Sequence, residues 1–170
     1  MNILSLFKKI KTFVFDMDGV LTDGSLLILS DTEWLRKMDI KDGYAMHVAV
    51  NNGYRIIVIS GSTSKPAKKR LHQLGVKDVF MGVADKKKIL QKYIAQHKLN
   101  EVEVLYMGDD IPDYGCMQIV GLPCCPADAA SDLKQIVKYI SPFNGGKGCV
   151  RDVIEKVLKL HRKWEFNNTS

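Results

Sequence analysis

No apolar run in this 170-residue chain reaches 18 residues, so the length needed for a membrane-spanning helix is lacking. The four cysteines, Cys116, Cys124, Cys125 and Cys149, show none of the spacings that hold zinc. Cys124 and Cys125 are neighbours in a short apolar stretch, a setting for buried thiols rather than a disulfide. The opening MNILSLFKKI carries its lysines after its hydrophobic residues, the reverse of a secretory signal. These absences predict a soluble, reduced, cytoplasmic protein with no membrane partner. Internal repeats, low-complexity tracts and linkers are lacking too. Residues 1–170 therefore read as one domain, long enough to bury about two-thirds of its unfolded surface.

Charge of one sign is not scarce: 25 basic against 19 acidic residues leave +6, with a pI near 9.1. The basic residues lie in helical segments such as KPAKKRLHQ and DKKKILQKY, spaced among apolar ones. That is the pattern of solvated helix faces rather than of a nucleic-acid patch. No nucleic-acid partner is expected, and a small anionic substrate suits the same excess.

Strand-like runs at Thr12–Asp16, Arg55–Ser60, Val76–Met81, Glu103–Asp110 and Gly121–Pro126 alternate with helical candidates. The helices are expected at Gly43–Asn52, Lys65–Leu74, Asp85–His97, Pro112–Val120 and Asp132–Val137. Gly53 and Gly75 follow two of them where a left-handed cap belongs, and Pro66 stands near a helix start. This alternation predicts an α/β fold, a doubly wound and mainly parallel sheet flanked by helices. The exception is residues 24–40, which read as a β-hairpin turning at Ser30-Asp31. Its Leu26, Leu27, Ile28, Leu29, Trp34 and Leu35 are too apolar to protrude alone and predict a contact with another subunit. The tail from Lys163 onward reads as flexible, with Trp164 and Phe166 suited to docking.

The chemistry-bearing residues fall at strand ends, where doubly wound sheets bind ligands. The first strand ends in Asp16-Met17-Asp18-Gly19, the second in Ser60-Gly61-Ser62. Lys86 opens the helix after the third, and the fourth ends in Gly108-Asp109-Asp110 with Asp113 beyond. Alone, Asp-x-Asp is often a turn, Ser-Gly a bend and a lysine in DKKK a solvated charge. Their order along successive strands carries the reading. Converging carboxylates call for a divalent cation, and oxygen-only ligands favour Mg²⁺. Ser60, Lys86 and backbone N–H groups near Gly19 and Gly61 would meet a phosphate. One aspartate would be the nucleophile and one the proton donor and acceptor. Residues i and i+2 of a straight strand share a face, which would aim Asp16 and Asp18 at one substrate.

The block DMDGVLTDG, the strand-terminal Ser60, Lys86 and GDDIPD resemble the four motifs of the haloacid dehalogenase superfamily of phosphatases. DIKDGYAM, LGVKDVFMGVADK, YMGDDIPD and GGKGCVRDV are similar to its capless subfamily of keto-deoxy sugar phosphatases, over residues 10–160. The resemblance implies a Rossmann-like fold without a cap domain, Mg²⁺ and an aspartyl-phosphate. It makes Asp16 nucleophile and metal ligand, and Asp18 the general acid–base with its carbonyl on the metal. Asp109 would be the other carboxylate ligand, with Asp110 and Asp113 holding metal waters or Lys86 in place. Ser60 and Lys86 would bind the phosphoryl group. It further implies a homotetramer whose hairpins form a central barrel, with a neighbour's surface and tail closing the site.

The implied substrate is a small anionic sugar phosphate, 3-deoxy-D-manno-octulosonate 8-phosphate of lipopolysaccharide sugar synthesis. The alternative is a nine-carbon keto-deoxy sugar phosphate or another small ester. Lys41, Asp42 and Gly43 would contact the sugar, and Lys41 and Arg70 would meet its carboxylate. Many family members carry arginine where Ser62 and His47 stand, which removes a bidentate carboxylate partner. Gly145, Gly146 and Arg151 are further candidates near the site. A receiver-type switch also uses clustered aspartates, a hydroxyl and a lysine. In a receiver the phosphorylated aspartate ends the third strand; here that strand ends near Met81-Gly82 without an acid, which disfavours a switch.

Overall fold

The apolar half of the acidic block is the central strand of a parallel sheet. In the computed structural model, which describes residues 2–164, β1 (Thr12–Phe15) pairs with β4 (Arg55–Ile59) on one side and β6 (Val104–Met107) on the other. The six-stranded order is β5-β4-β1-β6-β7-β8, all parallel, with β5 at Asp78–Phe80, β7 at Leu122–Cys125 and β8 at Tyr139–Ile140. Both faces of β1 are covered, so its run is apolar throughout instead of alternating. Phe13 and Phe15 point to one core with Ile56, Val58, Leu105 and Met107. Val14 points to the other with Ile57, Ile59 and Tyr106. The chain winds outward from β1 in both directions, so the switch in strand order falls between β1 and β6, where a crevice forms.

The helices begin where side chains cap them. Asp39 accepts from Lys41 and Asp42 N–H at the start of α2 (Ile40–Asn51), Ser64 from Ala67 at α3 (Lys65–Gln73), and Asp85 from Lys88 at α4 (Lys86–His97). Gly53 and Gly75 follow α2 and α3 at φ 81° and 91°, as their left-handed positions require. The expected helix at 112–120 is shorter: Ile111–Asp113 form a 3₁₀ turn and α5 covers only Tyr114–Met117. The helix expected at 132–137 is α6, Ser131–Lys134.

Three elements were not anticipated: the short α1 (Ile3–Phe7), edge strand β8, and α7 (Cys149–Leu160). The last had a legible signal, since Val150, Val153, Ile154, Val157 and Leu158 recur at helical spacing and are all buried. Each contributes about 1.5–3 kcal/mol on burial, which compensates a start lacking any local cap, because Gly148 precedes the helix. The cap is tertiary: Asp42 on α2 accepts from Gly148 N–H at 3.2 Å and Arg151 N–H at 2.7 Å.

The expected hairpin is present as β2 (Leu27–Ile28) and β3 (Trp34–Leu35), antiparallel, with Leu29 N–H on Glu33 O. Its side chains stand in solvent, Ile28 at 64% exposure and Trp34 at 50%. Trp164 packs edge-on against Tyr44 and beneath the Arg151 guanidinium. The rest of the expected tail, including Phe166, lies outside the described residues. No described helix is long and apolar enough to cross a membrane.

Candidate active site

Asp16 stands at the C-terminal end of β1, where its N–H donates to Met107 O and ties the strand end to β6. The first turn of α4 brings Lys86 Nζ to 2.8 Å from Asp16 Oδ1 and 2.8 Å from Asp113 Oδ1. Asp113 is saturated: Tyr106 OH donates to the same Oδ1 at 2.6 Å, while Asp109 and Asp110 N–H reach Oδ2 at 3.1 and 3.4 Å. Asp113 therefore orients Lys86 and the turn after β6. Asp109 completes a trio with Asp16 and Asp113 whose carboxylate oxygens lie within 4.8 Å of one another. Asp16, Lys86, Asp109 and Asp113, together with Asp18, Gly19, Gly24, Asp110 and Pro112, line one cavity of about 250 Å³.

Asp18 does not share a strand face with Asp16. β1 stops at Phe15, and Met17–Leu21 wind one wide π-type turn, with Asp18 at φ −76°, ψ 125° and Gly19 at φ 85°. Strand periodicity does not relate the two acids, because the chain leaves the sheet before Asp18. The turn separates the two acids: Asp16 faces Lys86, and Asp18 Oδ1 accepts from Arg36 Nε at 2.8 Å. Thr22 Oγ1 closes the turn, accepting from Gly19 and Gly24 N–H and donating to Asp18. Two glycines are required by close approach. A methyl group at Gly19 would overlap the Asp109 carboxylate, and one at Gly145 would overlap Gly19 O.

Two buried carboxylates, Asp16 and Asp113, and the half-buried Asp109 stand around one ammonium, which when all are ionised leaves an excess of two negative charges. Burial, then repulsion from Asp113, pushes Asp16 up to about 6. Burial, then repulsion from Asp16 and Asp113, pushes Asp109 up to about 7. Lys86 is pulled above its usual value by Asp113 and Asp16 despite burial. The donor set is oxygen only, and a hard divalent cation would neutralise the excess, so the residues fit one. Asp16 and Asp109 have capacity to hold it, whereas both Asp113 oxygens are occupied.

The other sequence candidates are placed apart from this cluster. Ser60 ends β4 fully buried, its Oγ 3.0 Å from Ser62 Oγ; neither it nor Gly61 lines the acidic cavity. Asp42 is 1% exposed with its carboxylate on α7, and burial raises it to about 6. That position assigns it the cap of α7. Lys41 lines a different cavity, of about 490 Å³, with Lys147, Arg151, Lys156 and Lys159. Gly43 lies beside the exposed Arg70, a Cβ there being 3.4 Å from Arg70 Nη2. Sequence reasoning did not find Arg36, Tyr106 or Thr22. Thr22 left a trace inside DMDGVLTDG, and Tyr106 left one two residues before Gly108 on the strand that ends in the acids; Arg36 left none.

A parallel α/β sheet with an acidic trio and a lysine at its switch point defines a haloacid dehalogenase-like hydrolase. The chain belongs to that family and is a phosphoric monoester hydrolase: the family model for haloacid dehalogenase-like hydrolases matches residues 77–154. It is 28% identical to 3-deoxy-D-manno-octulosonate 8-phosphate phosphatase KdsC of Yersinia pestis, over 96% of this chain and 88% of the relative. The crystal structure of a Yersinia pestis phosphatase of that name matches with a TM-score of 0.92, covering 96% and 89% of the two chains. A Pseudomonas syringae structure described as a "probable yrbi family phosphatase" is 33% identical, with a TM-score of 0.91 over 95% and 92%. The Moraxella catarrhalis 3-deoxy-D-manno-octulosonate 8-phosphate phosphatase, solved with magnesium, phosphate and KDO, is 27% identical, with a TM-score of 0.89 over 93% and 91%.

Proposed function

We propose that this phosphatase hydrolyses 3-deoxy-D-manno-octulosonate 8-phosphate to the free eight-carbon sugar acid and phosphate, with Mg²⁺ as its metal. The observation that carries the reading is the division of acids in one cavity: Asp16 lies in the charged cluster with Lys86, while Asp18 stands apart from it. A carboxylate oxygen of Asp16 attacks phosphorus, and Asp18 gives its proton to the departing sugar alkoxide. Water then attacks the aspartyl-phosphate, Asp18 takes its proton, and phosphate leaves Asp16 free again. Lys86, beside Asp16, serves the phosphoryl oxygens; Ser60 and the N–H groups of Gly19 and Gly61 would join it only if bound phosphate drew the loop after β4 and the turn at Gly19 toward the acids. Mg²⁺, held by Asp16, Asp109 and the Asp18 carbonyl, would add positive charge at those oxygens. The substrates printed for the Yersinia and Moraxella relatives support the choice of sugar acid. Lys41 and Arg70 remain the candidates for its carboxylate.

The test is kcat/KM over a panel of sugar phosphates. The eight-carbon acid phosphate is expected to exceed the nine-carbon acid and p-nitrophenyl phosphate by at least about tenfold. A preference for the nine-carbon acid would transfer the assignment to that substrate.

The raised carboxylates predict how the metal binds. Mg²⁺ requires Asp16 and Asp109 ionised, and these hold protons up to about pH 6 and 7 in its absence. Mg²⁺ affinity measured by calorimetry is expected to rise about tenfold between pH 6 and 7.5, with protons released, then level off. Constant affinity across that range would contradict the ligand assignment.

We infer a homotetramer built on the hairpin, because a two-stranded hairpin exposing Leu27, Ile28, Leu29 and Trp34 is not stable alone in water. Light scattering at micromolar concentration is expected to give four times the 19.1 kDa chain mass; a monomer would refute it. Four free, buried cysteines support a cytoplasmic setting.

A further inference from the structure

Arg36 is an unassigned charge at the site, and its burial demands an explanation. It directly follows β3 of the hairpin, which is otherwise in solvent, yet its side chain is only 8% exposed. Two backbone anchors bracket it: the pairing of Leu35 with Leu27, and the bridge between Met38 and Thr22. Between them the side chain turns inward and donates Nε–H to Asp18 Oδ1 at 2.8 Å. Asp18 is the ion-pair partner of Arg36 among the described residues. Thr22, on the other side of the bridge, donates to the same oxygen. One Asp18 oxygen is thus gripped by the hairpin's return arm and by the turn that carries Asp18. A guanidinium withdrawn from water is retained at a cost of several kcal/mol unless its partner compensates it, so the contact holds both groups in place.

We propose that Arg36 is the positioning residue of the general acid–base: with Thr22 it holds Asp18 Oδ1 and so fixes the rotamer, leaving Oδ2 as the oxygen that carries the transferred proton. This rests on the phosphatase reading above. Acid–base catalysis of this kind is worth roughly 10²–10⁴-fold, and loss of the hold on Asp18 removes part of it.

The experiment is a double-mutant cycle on the full-length protein with Mg²⁺, using Arg36→Met and Asp18→Asn, with p-nitrophenyl phosphate and a sugar phosphate. Arg36→Met is expected to lower kcat about 10- to 30-fold with KM changed less than about twofold. In the Asp18→Asn background it is expected to cost less than about twofold more, because the group it positions is gone. Arg36→Lys, which keeps the charge for a one-point contact, is expected to recover part of kcat and guards against a merely misfolded methionine variant. Fully additive losses, or an Arg36→Met enzyme with wild-type kcat, would overturn the positioning role while leaving the phosphatase intact. A wild-type protein inactive on every phosphate ester would overturn the phosphatase reading, and this inference with it.

Discussion

Asp16→Asn is expected to leave a folded protein whose turnover of p-nitrophenyl phosphate with Mg²⁺ falls at least about 10³-fold. An amide is a far poorer nucleophile than a carboxylate, and it is also a weaker ligand for a hard cation. The fold should survive because the substitution removes a like charge from a crowded site. Asp16 is raised to about 6 mainly by burial and then by Asp113, so its charge, although the main form at neutral pH, is less favourable in the folded chain than in the unfolded one. Lys86 keeps Asp113 as partner in the variant. The unfolding free energy without metal is therefore expected within about 1 kcal/mol of wild type at pH 7.5, or above it. Near-normal turnover would remove Asp16 from its role, and with it the aspartyl-phosphate.

Lys86→Met is expected to do the opposite, damaging stability as well as activity. It leaves Asp16 and Asp113 buried beside the half-buried Asp109 without a cation, and breaking a buried pair costs about 3–5 kcal/mol. The pH dependence has a definite sign. Without Lys86 the carboxylates bind protons more tightly folded than unfolded, so stability falls as pH rises from about 5 toward 8. The deficit is expected to be smaller at pH 5.5 than at pH 8, and Mg²⁺ should recover part of it. Turnover should drop at least about 10²-fold, the usual loss when a charge on the transition state is removed. Urea unfolding at both pH values checks this; a deficit below 1 kcal/mol at pH 8 would show that the trio is solvated and uncompensated by Lys86.

The hairpin and the site are joined by one arginine, which bears on how a subunit without an inserted cap could regulate its chemistry. Leu27, Ile28 and Trp34 are exposed within the single chain, whereas Arg36, one residue past β3, is buried on Asp18. Association through the hairpin would order its base and leave the acidic trio untouched, since Asp16, Asp109 and Asp113 depend on β1, β6 and the turn after β6.

How much was legible in the sequence follows from the range of the forces involved. A strand buried on both faces must be apolar throughout, so TFVF, RIIVI and VLYM announced a parallel sheet. The acids immediately after two of them marked its functional edge. Caps are equally local: Gly53 and Gly75 marked helix ends from within a few residues, whereas the N-caps Asp39, Ser64 and Asp85 are seen only in the structure. The sequence by itself thus determined the fold class and set Asp16, Asp109, Asp113 and Lys86 at the ends of strands; which three acids converge, Asp113 in place of Asp18, was decided by the tertiary structure. Contacts across the fold decided the rest. The π-type turn at Met17–Leu21 parted Asp16 from Asp18, against strand periodicity, because Thr22 closes the turn and the Gly145 backbone packs onto Gly19. Asp42, a sugar contact by the family resemblance of its segment, caps α7 from more than a hundred residues away. Arg36 looked like one charge among 25 until the hairpin folded back, because only tertiary structure decides which charge loses its water and which carboxylate replaces it.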